Sequence, residues 1–355
     1  MTATLTSPAL SFQLPEELIA DAPIEARGGR RDEARLLVAW KDDDRMVDTT
    51  FANLGQFLEA GDVLVVNTSA TLPAAVSTRD GRLLHFSTAL PGDLWVVELR
   101  EPCHAGSRPS PDGRPGDVIA LPGGAEVHLL APFGQPASDR VRLWVSRVKP
   151  RVAVPAFLEA FGRPIRYGCP DTSWALSAYQ TVFAQEPGSA EMPSAARAFT
   201  PELVTELVGR GTVFAPITLH TGVSSLEAGE LPYPEWYHVP STAAELVNAA
   251  RANGHRVIAV GTTATRAIES AADQRGVARP GSGWTDLVVT PGRGVRVVDG
   301  LITGWHEPEA SHLQLLEAVG GRPVLERSYR HALEAGYRWH EFGDLHLILP
   351  GAPRG

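Results

Sequence analysis

At 355 residues with a formal net charge of −9, the chain is long enough for two or three domains, or for one domain carrying an insertion. The acidic balance argues against an extended nonspecific nucleic-acid surface, which relies on clustered Lys and Arg. Its 2 cysteines, Cys103 and Cys169, lie far apart in Pro-containing stretches and imply neither a disulfide framework nor a cysteine zinc site.

No apolar run is long enough to span a bilayer, and no basic segment followed by an apolar one opens the chain. A soluble, cytoplasmic protein is expected. Arginine dominates the base, as in Arg27-Gly-Gly-Arg-Arg31 and the series Arg140, Arg142, Arg147, Lys149, Arg151. That series suits either a local phosphate fork or exposed charges on alternate strand positions.

In chain order, Pro15 followed by two glutamates predicts a helix start within Phe12 to Ala20. Leu36 to Trp40 reads as a strand and Phe51 to Leu58 as a short helix. Val63 to Asn67 reads as a strand buried on both faces, ending on Asn67-Thr68-Ser69 at a carboxyl strand edge, the usual ligand side of an α/β sheet. From about Thr71 to Pro150, short runs (Arg82 to Thr88, Leu94 to Arg100, Val118 to Leu121, Glu126 to Leu130, Val141 to Val148) alternate with Pro/Gly-rich turns and show no helical period. They predict a small inserted β-barrel, with Pro102 to Gly116 as a loop.

Val154 to Phe161 then reads as a helix, Tyr179 to Phe183 as a short element, and Gln185 to Phe199 as a long loop. Thr200-Pro201-Glu202 predicts an N-cap and a helix from Pro201 to Gly209. Val213 to His220 is a strand, and Thr242-Ala-Ala-Glu245 fits a capping box for a helix ending at Gly254. Later, Leu287 to Thr290 reads as a strand, Val295 to Thr303 as a hairpin around Asp299-Gly300, and Ser311 to Val319 as a helix stopped by Gly320-Gly321. A last helix precedes the closing strand Leu345 to Leu349.

The most informative stretch is His255 to Ser270. Arg256 to Val260 is an apolar, β-branched run that breaks at Gly261-Thr262-Thr263 into a helix with Ala264, Ala267, Ile268 and Ala271 on one side. A buried strand emptying into a helix N-terminus presents N–H groups and two hydroxyls to an anionic group; the same pattern also serves a plain capping turn.

Several blocks fall in one order and spacing: Gly61-Asp62-Val63-Leu64-Val65-Val66-Asn67, Tyr179-Gln180-Thr181-Val182, Thr218-Leu219-His220, Ala259-Val260-Gly261-Thr262-Thr263, Arg266 with Glu269-Ser270, His306 with Pro308, and Tyr337-Arg338 with Gly343-Asp344. Together they make the chain, from about Phe12 to Ile348, similar to the S-adenosylmethionine:tRNA ribosyltransferase-isomerase family of queuosine biosynthesis. The resemblance implies a larger mixed α/β domain (11–70 and 151–350) with an inserted small β-barrel domain (71–150). It also implies S-adenosylmethionine as a substrate that donates its ribosyl group to a 7-aminomethyl-7-deazaguanine in the tRNA anticodon, releasing adenine and methionine with no metal. A monomer is expected.

For that chemistry a base must remove a proton from the 5′ carbon beside the sulfonium, adenine must depart and an amine must attack. A histidine suits the proton transfer, with His306 the first expectation and His220 the second; each also suits a purely loop-ordering role. Thr262, Thr263 and Arg266 are expected to hold an anionic group such as the methionine carboxylate. Glu269, Glu235 and Asp344 suit ribose hydroxyls, a cationic amine, or structural pairing with arginines. Asn67, Tyr179, Gly222 and Pro308 complete the expected substrate-binding set.

The departures from the family pattern are specific. Its Asn-Asn/Asp-Thr-Arg-Val-x-Pro-Ala-Arg is Asn67 to Ala75 here, with Ala70 and Ala75 in place of both arginines, which weakens the case for a bound tRNA. Its Ala-Ala-Pro-Thr-Ala-Gly-Leu-His-Phe is Glu191 to Phe199, so its histidine is Ala198. Its Gly-x-Gly-Thr-Phe is Gly222 to Leu226, its His-x-Met-His-x-Glu is Glu230 to Glu235, and its Thr-Asn-Phe-His-Leu-Pro is Thr303 to Pro308. Three expectations stand: the family reaction through an altered site, the same scaffold acting on S-adenosylmethionine with another and small-molecule acceptor, and a non-catalytic nucleoside-binding protein.

Overall fold

The computed structural model describes residues 10–103, 106–134, 141–166, 174–223 and 232–351. A nine-stranded sheet runs through it in the order Gly281–Thr285, Glu235–Val239, Val213–Leu219, Val63–Asn67, Val257–Val260, Gly300–Gly304, Leu345–Leu349, Arg35–Trp40, Met46–Thr50. From Val213–Leu219 to Gly300–Gly304 the central strands are parallel. Their carboxyl ends therefore share one edge, the edge at which open α/β sheets gather ligands.

The strands are apolar on both faces because both are covered. Leu37, Val63, Val65, Ile217, Val257, Ala259 and Leu301 pack under the helices Ser241–Ala252, Thr262–Ser270, His312–Gly320 and Arg322–Glu334. The alternate positions Leu36, Leu64, Val66, Ile258, Val260 and Ile302 face Phe51, Leu54, Phe199 and the Pro201–Gly209 helix. The period of two along each strand thus divides the core into two clusters.

A second sheet is built between Ala75 and Lys149 in the order Ala75–Ser77, Leu83–Leu90, Leu94–Cys103, Leu143–Lys149, Glu126–Pro132, Val118–Ala120, and carries its own buried cluster. It curls until its two edges meet through single contacts, the Arg79 N–H donating to Ala120 O at 2.9 Å and Arg79 Nε to Leu121 O at 3.2 Å. Its interior holds Glu98, whose Oε1 accepts from Arg100 and Arg142, both at 3.0 Å. A bulge between Phe86 and Thr88 re-aims the Ser87 and Thr88 hydroxyls toward the larger sheet.

Several local expectations are corrected. The helix after Pro15 is a single 3-10 turn, Glu16–Leu18, because Ile19 and Ala20 leave it to bridge Trp339. Phe51–Gln56 is likewise 3-10. Thr242 is not an N-cap: the helix starts at Ser241 after Pro240, with no side-chain cap. The segment expected as a loop after Pro102 includes the strand Gly106–Pro109, paired to Leu94–Cys103; residues 104–105 lie outside the described residues, as does Cys169. The expected long loop from Gln185 to Phe199 carries the strand Glu186–Ser189, parallel to Ser69–Thr71, and the 3-10 turn Ser194–Ala196.

Two further corrections concern the segments before Gly300. Leu287 to Thr290 forms no strand; Gly281–Thr285 takes the sheet edge beside Glu235–Val239 instead. No hairpin forms at Asp299-Gly300, because the N–H groups of Val297 and Val298 donate to Glu269 while Asp299 exchanges bonds with Val257 through both its backbone and its carboxylate. Gly300–Gly304 therefore enters as a parallel neighbour of Val257–Val260.

Leu64 sits on the central strand with no exposed surface. Replacing it by alanine is expected to cost about 2–5 kcal/mol of unfolding free energy in urea titration; a loss below about 1 kcal/mol would show that this strand is not at the centre of the core.

Candidate active site

The central strands deliver three segments to their common edge: Thr221–Val223 after Val213–Leu219, Gly261–Thr263 after Val257–Val260, and Trp305–Glu307 after Gly300–Gly304. Gly261, at φ 93°, turns the chain from strand to helix in a conformation that a side chain disfavours, and its N–H donates to Ile302 O at 2.8 Å. Over these segments lies a cleft of two contiguous lobes.

The polar lobe, about 260 Å³, is walled by Glu191–Ala195, Thr303–Glu307, Ala310–His312 and His340–Glu341. The apolar lobe, about 70 Å³, lies against the second sheet and is lined by Phe133, Val223, Tyr233, Leu287, Val289 and Leu315, with Ser87 and Thr88 at its rim. Thr221, Thr262, Thr263, Ser311 and His312 line both lobes and form the throat between them. The hydroxyl of Thr221, itself buried, has no hydrogen-bond partner among the described residues, and neither has that of Ser311.

His306 lies in the polar lobe with its ring stacked on His312, centroids 4.8 Å apart. Its Nε2 shares a 3.0 Å hydrogen bond with the Thr303 hydroxyl, its N–H donates to Tyr329 Oη at 3.3 Å, and its carbonyl accepts from Trp339 Nε1 at 3.0 Å. Burial pushes its pKa well below the usual imidazole value, with His312 and His340 adding to the shift; burial also takes His312 down to about 4. Both rings are therefore neutral near pH 7. His340 pairs with Glu307 at 3.0 Å and holds φ 78°, an unusual conformation for a residue with a side chain. At the next residue, burial followed by the charge of Glu191 pushes Glu341 up to about 7.

Of the expected residues, the structure brings His306, Thr262, Thr263, Arg266, Glu235 and Gly222 to the cleft. Arg266 is fully engaged inside the protein: it pairs with Glu235 and donates to the carbonyls of Leu287 (2.9 Å), Tyr233 (3.0 Å) and Thr285 (3.1 Å). Gly222 donates its N–H to Glu235 Oε1 at 3.1 Å, and a Cβ there would lie 2.8 Å from Ser87 Oγ, so that a side chain would displace that hydroxyl.

The other expected residues line neither lobe. His220 bonds Ser69 Oγ at 2.8 Å, stacks on Trp236 and is pressed against Gly188. Glu269 pairs with Arg293 and accepts the N–H groups of Arg296, Val297 and Val298. Asn67 exchanges hydrogen bonds with Leu219 and reaches Thr263 Oγ1 at 3.4 Å, supporting the throat from behind. Asp344 accepts the N–H groups of Arg35 and Arg338, and Tyr179 is buried against Phe342 with its hydroxyl unpartnered among the described residues. Pro308 is half-buried just beyond the His306 loop. The cleft residues that sequence reasoning missed are Glu191, Thr221, Ser311, His312, His340 and Glu341. Only proximity to recognised blocks marked them, since none belongs to a periodic or spaced pattern.

A family model described as queuosine biosynthesis protein matches residues 8–348. The chain is 34% identical over 357 residues to the S-adenosylmethionine:tRNA ribosyltransferase-isomerase of Symbiobacterium thermophilum, covering 95% of this chain and 98% of that one. To its namesake in Moorella thermoacetica it is 35% identical over 351 residues, with the same coverage. The crystal structure of the S-adenosylmethionine tRNA ribosyltransferase of Thermotoga maritima superposes with a TM-score of 0.54 at 26% identity, over 96% of this chain and 99% of that one. Fold and cleft define a mixed α/β protein with a two-lobed cleft at the carboxyl edge of its parallel strands. More narrowly, the chain belongs to the queuosine biosynthesis protein family.

No group of three or more His, Cys, Asp or Glu with metal-binding geometry occurs among the described residues, and no helix among them is long and apolar enough to cross a membrane.

Glu341 provides a direct check of the cleft's electrostatics. Its carboxyl ¹³C signal is expected to titrate with a midpoint near 7, so that the protonated form dominates below that pH and the carboxylate above it. Glu191→Gln, by removing the repelling charge, is expected to lower the midpoint; an unchanged midpoint would mean that the two carboxyls do not interact.

Proposed function

We propose that the chain uses S-adenosylmethionine as a ribosyl donor, transferring and isomerising the ribosyl group onto a 7-deazaguanine in the tRNA anticodon with release of adenine and methionine. The observation that carries the reading is the two-lobed cleft, apolar on one side and histidine- and carboxylate-rich on the other, joined at a hydroxyl-lined throat. Family membership and the names of the full-length relatives agree with it.

In this reading the adenine lies in the apolar lobe between Tyr233 and Leu287 to Val289, and the ribose lies in the throat, where the unpartnered hydroxyls of Thr221 and Ser311 meet its own. The methionine carboxylate meets Thr262 and Thr263 at the helix N-terminus, where unpaired N–H groups and the helix dipole favour an anion. Arg266 acts by holding Glu235 and the Thr285–Leu287 chain in place. His306, neutral and oriented by Thr303, takes the proton from the 5′ carbon that the sulfonium acidifies. Adenine then departs as the glycosidic bond breaks, the acceptor's amine bonds to the ribosyl carbon skeleton and loses a proton, and methionine leaves as the C5′–S bond breaks. Glu269, Asn67, His220, Tyr179, Pro308 and Asp344 support the scaffold of the site. A cytoplasmic, monomeric enzyme that needs no metal belongs to the same proposal.

A second reading, a different amine acceptor on the same scaffold, draws support from the positions where the family pattern has alanine and leucine and this cleft has Glu191 and Glu307. The arginine-less positions give similar support: Ala70 is half-buried within the Ser69–Thr71 strand and Ala75 is buried at the start of Ala75–Ser77.

Purified protein incubated with S-adenosylmethionine and an anticodon stem-loop carrying 7-aminomethyl-7-deazaguanine is expected to release adenine, and His306→Ala to slow that release at least about a hundredfold. No adenine despite measurable S-adenosylmethionine binding would overturn the ribosyl-transfer reading on this acceptor. Full turnover by the His306 variant would remove the histidine from the mechanism while leaving the activity.

A further inference from the structure

The stretch Arg27-Gly-Gly-Arg-Arg31 has no part in the two-lobed cleft, yet the fold brings it beside the polar lobe. There a notch of about 30 Å³ is lined by Arg27, Arg31, Arg197 and Arg338, with Glu341 and Asp344 among its other walls. Ser194 and Glu341 line both the notch and the polar lobe, so the two share a wall. The four guanidiniums come from separate segments. Arg27 ends the 3-10 turn Ile24–Arg27, Arg31 opens the turn Arg31–Glu33, Arg197 follows Ser194–Ala196, and Arg338 lies between the last helix and the closing strand.

Two of the four are fixed in place. Arg31 donates from Nε to Glu25 at 2.7 Å and from its terminal nitrogens to the carbonyls of Gln180 (2.6 Å) and Ser177 (2.9 Å). Arg197 donates to both oxygens of Glu25 at 2.8 Å and to Ala178 O at 2.9 Å. One carboxylate thus serves two guanidiniums. The other two keep unused donors: Arg27 is exposed and makes no hydrogen bond or ion pair among the described residues, its charge bearing on Asp344, and Arg338 donates from its side chain to the Glu17 carbonyl through one nitrogen. Of the lining carboxyls, Asp344 turns its two oxygens to the N–H groups of Arg35 (2.9 Å) and Arg338 (2.7 Å), and Glu341, with Arg166 and Arg197 both acting on it, titrates at about 7. The balance around the notch is therefore positive, in a chain whose net charge is −9.

A space of about 30 Å³ holds roughly two waters, which matches the two charged oxygens of a phosphodiester and excludes a nucleoside. Guanidinium forks suit those oxygens. An enzyme that acts on a base takes it out of the stack into a pocket, and the flanking phosphates stay at the mouth. The family's two arginines are Ala70 and Ala75 here, so cationic contacts to an RNA must come from elsewhere on this chain.

We propose that the notch binds a phosphodiester of the RNA acceptor next to the nucleotide that enters the polar lobe, with Arg27 and Arg338 as its donors and Arg31 and Arg197 as a fixed positive wall. The proposal deepens the ribosyl-transfer reading and rests on it for the acceptor being RNA, but not for the anion chemistry of the notch.

The test is binding of the aminomethyl-deazaguanine stem-loop to the protein without S-adenosylmethionine, followed by fluorescence anisotropy across a salt series, with adenine release measured after S-adenosylmethionine is added. Arg27→Gln is expected to weaken binding about fivefold to tenfold at about 0.1 M salt and to make the slope of log K against log salt shallower by about 1. Arg338→Gln is expected to act in the same direction, and Arg27→Lys to keep the slope. A stem-loop with neutral methylphosphonates on both sides of the modified nucleotide is expected to bind the native protein more weakly by a similar factor, with no further loss for Arg27→Gln. S-adenosylmethionine binding by Arg27→Gln, measured calorimetrically, is expected to be unchanged. An unchanged salt slope, an equal loss on both stem-loops, or no binding of the stem-loop would overturn the subsite. Adenine release with unchanged slopes would defeat the subsite alone; the expected slopes without adenine release would defeat the ribosyl-transfer reading alone.

Discussion

Arg266 is the side chain on which the geometry of the cleft depends. From one nine-residue helix its guanidinium reaches Glu235 and the carbonyls of Tyr233, Thr285 and Leu287, tying together the edge strands and the chain that walls the apolar lobe. Removing a buried guanidinium of this kind leaves Glu235 as an unpaired buried carboxylate, which is costly. On the same helix Glu269 pairs with Arg293 and gathers the N–H groups of residues 296–298, so the helix is anchored by two ion pairs. Thr262 and Thr263 are thereby fixed at the throat.

That anchoring has a chemical consequence. Because Arg266 is engaged within the protein, neither lobe contains a cation that is free to clamp a phosphate or carboxylate, among the described residues. In the proposed reading, anion binding falls to the helix N-terminus. The opposite wall carries neutral histidines and carboxylates, groups that accept protons and hold cations. A sulfonium nucleoside with an amine acceptor matches this polarity; a phosphate-bearing cofactor does not. The aromatic cluster of Trp305, Tyr329, Tyr337 and Trp339 packs beside the His306 loop, and Trp339 Nε1 donates to the His306 carbonyl.

The central strands were legible in the sequence because burial on both faces leaves an uninterrupted apolar run, as at Val63–Asn67 and Val257–Val260. The Pro201–Gly209 helix was legible because Thr200 caps it locally, accepting from the Leu203 N–H at 3.2 Å. Segments whose hydrogen bonds are long-range misled local reasoning: Val297 and Val298 look like hairpin residues until Glu269, 28 residues away in the case of Val297, takes their N–H groups. Edge pairing by Gly281–Thr285 was hidden by glycines that strand propensity disfavours.

The site was half legible for a related reason. Thr262, Thr263 and His306 sit beside strand ends that the sequence reveals, whereas His312, His340, Glu341 and Glu191 arrive from separate segments whose convergence only the tertiary fold produces. Structural pairing with arginines was among the expectations for Glu269 and Glu235 and is what the structure has, whereas Arg266, expected on an anionic ligand, is instead neutralised internally.

The most direct measurement is the fate of isotope from S-adenosylmethionine. With ¹³C in the ribose ring, the mass of the aminomethyl-deazaguanine stem-loop is expected to rise with all the ribose carbons retained, and ¹³C in the S-methyl group is expected to stay with methionine. Methyl carbon appearing in the RNA, or ribose carbon remaining with adenine, would contradict ribosyl transfer by this cleft.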